Sequence, residues 1–330
     1  MKHEDLSHLE SLLREVPEGG LAVTHHSTSK EDHTLLTDQF SAKTAGKGKV
    51  DAYAVYPGIE AAYNAFLAPE VTVHHEASNS VLEIFHCQSG RIGWNMRDST
   101  AVYLGAGDMT AHSTACCADS AMMFPLGYAT GISFSISLVR LDEVPPEILR
   151  EAGIDGKQLR DLFCSGKPAA IPACAELDGI FAPLYRVAPA QRAPYLKLKI
   201  QELLLFLCSF QPEHRELTQY HSQQTELIKE IHCFLTEHLD QRYTIEDLSK
   251  RYLINSSTLK EVFKAVYGAP IATYMKEYRI RQAMKLLRDT NDSIASIAVQ
   301  FGYESQGKFT QAFKDVAMML PTEYRRTYQR

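Results

Sequence analysis

Two stretches near the C-terminal end share one pattern: Thr244-Ile-Glu-Asp-Leu-Ser-Lys-Arg-Tyr-Leu-Ile-Asn-Ser-Ser-Thr-Leu-Lys-Glu-Val-Phe-Lys264 and Ser293-Ile-Ala-Ser-Ile-Ala-Val-Gln-Phe-Gly-Tyr-Glu-Ser-Gln-Gly-Lys-Phe-Thr-Gln-Ala-Phe-Lys314. In the first, Ile245, Leu248, Leu259, Val262 and Phe263 give two short helices an apolar side, and small Ser249 sits where they cross closely. Asn255 or Ser256 caps the second helix, which leaves Ser257, Thr258, Lys260, Glu261 and Lys264 exposed. In the second stretch, Ile294, Ile297, Ala298, Phe309 and Phe313 form the apolar set. Gly302 fits a turn in which a positive φ is cheap only for glycine, and Ser305 caps a helix exposing Gln306, Lys308, Thr310, Gln311 and Lys314. Each stretch reads as a helix-turn-helix, the arrangement that lets a second helix enter a major groove.

Between the two motifs, Pro270 suits the first turn of a helix that runs through Tyr274, Tyr278, Ile280, Ala283, Met284 and Leu287. At 1.5 Å per residue, its roughly 18 residues measure about 27 Å. Successive major grooves on one DNA face lie about 34 Å apart, so one chain can set both recognition helices in adjacent grooves with a mild bend in the duplex. Two such motifs in order, joined by this connector, set aside an ordinary all-α core as the alternative.

The net charge of −6 taken alone argues against a nucleic-acid binder. The charge is unevenly distributed: from Thr225 onward there are 16 Lys and Arg against 13 Asp and Glu, while the preceding residues hold 18 against 27. The C-terminal third is therefore compatible with phosphate contacts. Lys260, Lys264, Lys308 and Lys314 can neutralise phosphates or donate to guanine, Glu261 can accept from a cytosine amino group, and Gln306 and Gln311 can pair with adenine.

On these residues the segment 225–330 resembles the DNA-binding domain of the AraC/XylS family of bacterial transcription regulators. The resemblance is carried by Gly268-x-Pro270, Arg279-Ile280-x-x-Ala283-x-x-Leu286-Leu287-x-x-Thr290, Ile297-Ala298, Phe301-Gly302-Tyr303, Phe309-x-x-x-Phe313-Lys314 and Pro321-x-x-Tyr324-Arg325. Two departures stand out. Met318 and Leu320 occupy a region where the family often carries Gly before Ser/Thr-Pro, and Gly307 offers no side chain for a base contact. The resemblance implies a transcription activator rather than an enzyme, working on double-stranded promoter DNA with RNA polymerase as a partner. It also implies an N-terminal effector or dimerisation domain, often a cupin-like barrel.

An apolar fraction of 45% with 22% charged residues is that of a folded chain, and 330 residues suggest two domains with a helical connector. The seven cysteines, Cys87, Cys116, Cys117, Cys164, Cys174, Cys208 and Cys233, are odd in number and form no C-x-x-C pair. Reduced thiols in the cytoplasm fit this better than a disulfide framework. The charged N-terminus has no secretory pattern, and the uncharged run Ser120 to Val139 is broken by Pro125, Gly127 and Gly131, so buried strands fit it better than a membrane span.

Residues 1–48 are polar, with Thr44-Ala-Gly-Lys-Gly-Lys49 as a turn or loop. From Val50, short apolar runs such as Val71 to His74, Val81 to Phe85, Ile92 to Met96 and Ala101 to Leu104 read as strands. Gln88-Ser-Gly-Arg91 is expected to join two of them as a hairpin, and Gly105-Ala-Gly-Asp108 another two. The fold class expected is α+β in two domains. Residues 1–140 form a small cupin-like β-barrel that senses an effector, 141–215 a helical spacer with a dimerisation helix, and 225–330 an all-α DNA-binding domain. Pro168 to Ala175 is expected to be a loop, and the boundary falls around Gln211 to Gln224.

Leu196, Ile200, Leu203, Leu207 and Phe210 draw one apolar seam along the helix Pro194 to Phe210, either a core helix or the seam of a homodimer. Phe85, Trp94 and Tyr103, with Glu83, His86 and His112, are the candidate effector pocket. Glu83, His86 and His112 offer metal-ligand chemistry, but the His-x-His of the first cupin motif is missing, since His74-His75-Glu76 lies too early; no metal and no cofactor are expected. Cys116-Cys117 is either a sensor or a buried pair. The order of strands, spacer and Leu-rich helix, with Gly302-Tyr-Glu-Ser-Gln-Gly-Lys-Phe309, looks similar to the pyochelin-responsive subgroup, which implies a siderophore-like effector. Two other readings stay open: a regulator with no ligand, and a cupin-type metalloenzyme carrying a DNA-binding domain.

Overall fold

The computed structural model describes residues 3–26, 44–72, 74, 76–117, 121–164, 167–210 and 217–329. The chain divides into two compact units, Met1–Ser222 and Gln223–Arg330. Part of the expected boundary (211–216), His75 and Val73 of the early His-rich run, and residues 1–2 and 27–43 of the polar N-terminal segment lie outside the described residues.

The first unit begins with a helix, α1 (His3–Leu12), and builds two sheets. The larger runs in the order β1 (Leu21–His26), β2 (Lys47–Tyr56), β3 (Ile59–Leu67), β10 (Ala129–Ser137), β5 (Val81–Gly90), β8 (Met109–Ser113) and β11 (Ala169–Ile171). The smaller runs β12 (Tyr220–His221), β7 (Thr100–Leu104), β6 (Ile92–Asn95), β9 (Ala121–Met123) and β4 (Glu70–Thr72). Strand alternation sorts the residues onto two faces. On β10, Ile132, Phe134 and Ile136 join an apolar cluster with the helices α3 (Leu138–Glu143), α4 (Glu147–Glu151), α5 (Gly156–Phe163), α6 (Ala175–Arg186) and α7 (Arg192–Ser209). A second cluster, with Val50, Phe66, Phe85, Trp94, Val102, Leu104 and Met122, draws on both sheets, and Cys117 of the short α2 (Thr114–Cys117) closes it.

Three expectations change. Gln88 to Arg91 is not a hairpin: β5 is paired on both sides, by β10 and β8, so the chain leaves Gly90 at φ +81 and enters the other sheet as β6. A Cβ on Gly90 would lie 2.2 Å from the Tyr128 carbonyl oxygen, and only glycine fits this corner. The supposed loop at Pro168 to Ala175 contains β11, paired with β8. The seam Leu196, Ile200, Leu203 and Leu207 is fully buried inside its own unit, with Phe210 packed against the same cluster. These residues pack with α4, α5, α6 and β2, so they are core and not a dimer seam. Two heptads of apolar spacing describe a helix buried among neighbours as well as a coiled coil, and here the neighbours are intramolecular.

The second unit is helical: α8 (Ser222–Glu237), α9 (Ile245–Arg251), α10 (Ser256–Tyr267), α11 (Ile271–Asp289), α12 (Ile294–Gln300), α13 (Gln306–Ala317) and α14 (Pro321–Tyr328). Leu248, Leu259, Val262, Phe263 and Val266 are buried in its first half. Ile280, Ala283, Leu287, Ile297, Phe309 and Phe313 form the core of the second.

Candidate nucleic-acid interface

The two motifs are α9–α10 and α12–α13. Thr244 caps α9 in a reciprocal box: Asp247 N–H donates to the Thr244 hydroxyl at 3.1 Å, and Thr244 N–H donates to the Asp247 carboxylate at 2.9 Å. The Thr244 hydroxyl, then its backbone N–H, hold the Asp247 carboxyl below its ordinary value. Asn255, not Ser256, caps α10, its side chain accepting from Ser257 N–H at 2.8 Å. Ser256 instead meets Ser249 hydroxyl to hydroxyl at 3.0 Å, which fixes the close helix crossing. Ser305 caps α13, accepting from Lys308 N–H at 3.3 Å.

On α10, Ser257, Lys260, Glu261 and Lys264 are exposed and Thr258 is half-buried; on α13, Gln306, Lys308, Gln311 and Lys314 are exposed and Thr310 is half-buried. Both rows project from helices whose opposite sides are buried. The connector α11 has 19 residues, about 28 Å at 1.5 Å per residue. Its buried residues are Ile271, Met275, Arg279, Ile280, Ala283 and Leu287. Of the residues read from sequence as its apolar side, Tyr274 and Tyr278 flank the first motif's core, with Tyr274 5.6 Å from Phe263, ring to ring.

Two arginines lock the motifs together; Arg279 is a residue of the sequence motif quoted above, with no role assigned to it there, and Arg242 was not singled out from sequence. Arg279 donates from Nε to the Leu239 carbonyl at 2.9 Å and from a terminal nitrogen to the Gln241 carbonyl at 2.6 Å, and burial lowers its pKa. Arg242 donates from Nε to the Gly302 carbonyl at 3.0 Å and lies over the Tyr303 ring. A cleft of about 500 Å³ runs between the motifs, lined by Arg242, Thr244, Lys276, Arg279, Tyr303 and Lys308 among others. Lys276 lies 3.7 Å from Asp315, and Lys308 is ion-paired with Glu304, whose carboxyl it holds below its ordinary value. The sequence marked Lys308 on its recognition helix and Arg279 within the family motif; for Arg242 and Lys276 its signal was the charge surplus, and the convergence of all four is a property of the tertiary fold.

A family model described as a helix-turn-helix domain matches residues 248–327. The HTH-type transcriptional regulator ExsA of Pseudomonas aeruginosa is 31% identical over 153 residues, 44% of this chain and 52% of that protein. The chain thus spans about half the length of that relative. The HTH-type transcriptional activator AarP of Providencia stuartii is 30% identical over 111 residues, 34% of this chain and 80% of AarP. The chain belongs to the AraC/XylS family of transcription regulators. Among solved structures, the C-terminal domain of the response regulator yesN from Fusobacterium nucleatum is 30% identical, covering 32% of this chain and 99% of that one, with a TM-score of 0.29.

Both departures from the AraC/XylS pattern have structural counterparts. Met318 ends α13 in the left-handed conformation at φ +58, the task a glycine does without strain, and is 84% exposed. Gly307 faces open space at the start of α13, with no atom but the Ser305 hydroxyl within reach of a Cβ. A third position behaves alike: Leu253, in the turn of the first motif, has φ +51 and is 93% exposed, where the second motif has Gly302 at φ +69.

The six residues expected to line one effector pocket are divided between faces. Glu83, Phe85, Trp94 and His112 come together between the two sheets: Glu83 and His112 are cross-strand partners, Phe85 and Trp94 rings meet edge-on at 5.5 Å, and Trp94 and His112 at 6.4 Å. Ser135 donates to Glu83 at 2.7 Å, and Cys117 lies 3.6 Å from His112 Nδ1. His86 is on the opposite face of β5, stacked on Phe181 of α6. Tyr103 alternates away from Val102 and Leu104 and lies against Gly93, whose missing Cβ makes room for its ring. The physical reason is the period of two: 83 and 85 share a side that 86 cannot. Glu83, His86 and His112 therefore do not converge, and no group of three or more metal-ligating side chains is found among the described residues.

Proposed function

We propose that the chain is an effector-responsive activator that grips promoter DNA with both motifs of a single subunit. One observation carries this reading: Arg242 ties the entrance of the first motif to the turn of the second, and Arg279 ties the connector to the same entrance. The two recognition helices then present Lys260, Glu261 and Lys264 together with Gln306, Lys308, Gln311 and Lys314 at one set spacing. The cleft cations Arg242, Lys276 and Lys308 lie between them, where the phosphate backbone separating two adjacent grooves would pass. The first unit, with two sheets enclosing an apolar interior, supports a cupin-like sensing role, and RNA polymerase is the partner an activator addresses. Such a protein works in the cytoplasm. No helix among the described residues is long and apolar enough to cross a membrane.

The test is spacing. A binding site is selected with the full chain from a randomised duplex pool, and five base pairs are then inserted between its two half-sites. Half a helical turn moves one half-site to the opposite face, so a rigid two-groove reader loses affinity by a hundredfold or more. Affinity that tolerates the insertion would overturn the reading.

A further inference from the structure

A second cleft lies on the helix-covered face of the large sheet, with a volume of about 660 Å³. One wall is a face of α6 that presents Ala175, Asp178, Ala182, Tyr185 and Arg186. The facing wall is the turn between β7 and β8, with Ala106 and Gly107. Asp108 fixes the width at this end: one carboxylate oxygen accepts from Gly105 N–H at 2.7 Å and the other from Ala173 N–H at 2.9 Å. Alanines and a glycine line much of the space, which keeps it open at a size usual for small-molecule sites. A Cβ on Gly107 would lie 2.8 Å from that of Ala173.

The polar groups are few and ordered. His86, only 5% exposed, is held through Nδ1 by the Tyr185 hydroxyl at 2.8 Å and lies flat on Phe181 at 3.9 Å. Burial keeps it uncharged down to about pH 4, so it offers a neutral hydrogen-bonding nitrogen. Gln88 adds an amide beside it. Along the α6 wall stand one carboxylate, Asp178, and one guanidinium, Arg186, and among the described residues neither side chain enters an ion pair. They are eight residues apart on one helix, about 12 Å.

We propose that this cleft is the effector site of the first unit and that it takes an extended zwitterion, with its cationic end at Asp178 and its anionic end at Arg186. The word effector rests on the regulatory reading above; the site itself does not. An extended peptide advances about 3.3–3.6 Å per residue, so a free peptide of three or four residues spans the two charges. Its amides would meet Gln88 and His86, and its side chains must be small. Both charges also complement the dipole of α6, which alone gives no affinity for a ligand.

Trialanine and tetra-alanine are titrated calorimetrically into the full chain, beside their N-acetylated and C-amidated forms. Saturable binding of a free peptide is expected, weakened at least tenfold by either cap. Arg186→Glu, at an exposed position, weakens it to the same degree, and Ala182→Trp fills the cleft and abolishes it. No saturable heat at millimolar peptide, or binding indifferent to the caps and to Arg186→Glu, overturns the site. Peptide binding that leaves affinity for the selected DNA unchanged overturns the effector role while the two-groove reading stands.

Discussion

Arg242 reaches across the second unit to the carbonyl of Gly302, 3.0 Å away, while Gly302 itself packs on the backbone just before that arginine. A Cβ on Gly302 would lie 2.7 Å from the Asp240 carbonyl oxygen, and the residue already sits at φ +69. Gly302→Ala therefore meets a backbone clash and left-handed strain together, and is expected to cost about 1–3 kcal/mol. Calorimetric melting of the second unit measures it. Because the same contact sets the spacing of the motifs, affinity for a two-half-site duplex should fall further than affinity for one half-site. Equal losses on both would separate Gly302 from the spacing.

Leu253 and Met318 present the reverse case. Both hold positive φ with nearly bare side chains, so little packing offsets their strain. Leu253→Gly and Met318→Gly should each stabilise the unit by about 0.5–1 kcal/mol, the relief of left-handed strain less the extra entropy of glycine. Melting temperatures of the two variants check the sign, and a fall in either would mean the exposed side chain packs in a way its surface area does not reveal.

One buried histidine, His86, and one half-buried, His232, make stability depend on acid. Burial depresses His86 in the first unit to about 4, and His232, stacked on Tyr267 and bonded to the Tyr274 hydroxyl at 2.9 Å, to about 4 in the second. The unfolded chain binds these protons near pH 6.5 and the folded chain does not until about pH 4, so the stabilisation is complete above 6.5 and is lost as pH falls toward 4. The slope per histidine is at most about 1.4 kcal/mol per pH unit. His232→Gln should flatten the pH profile of the second unit's melting between 4 and 6.5, and His86→Gln that of the first. An unchanged slope would show that the ring takes up its proton at the same pH in the fold as in the unfolded chain.

What the sequence disclosed follows from the range of the forces involved. Caps at Asn255 and Ser305, the Gly302 turn and the apolar sides of α10 and α13 are set within a few residues, and the motifs were legible from their spacing alone. The corner at Gly90 was not, because whether β5 pairs with β6 depends on β8 and β10 having taken both of its edges. The seam of α7 has the same local pattern whether its partner is α6 or another subunit. Arg242 reads as one of many cations, and Arg279 as a motif residue without a stated task, until the fold brings each to a carbonyl about 40 to 60 residues away in sequence. Binding residues on a single helix face are local; those of a cleft are assembled.

That distinction predicts two kinds of DNA-binding variant. Lys260 and Gln311 project from recognition helices, whereas Lys276 lines the cleft between them and faces Asp315 at 3.7 Å. A residue that reads a base edge carries about 1–3 kcal/mol of discrimination, so Lys260→Ala with Gln311→Ala should abolish preference for the selected site and leave residual binding to unrelated duplex. A residue that meets phosphate carries no sequence information. Lys276→Ala should weaken selected and unrelated duplexes by the same factor and reduce the slope of log affinity against log salt by about 1. Anisotropy titrations at several salt concentrations, with circular dichroism to show that each variant folds, separate the two. A Lys276→Ala protein with an unaltered salt slope would remove the cleft from the interface and leave only the two recognition helices.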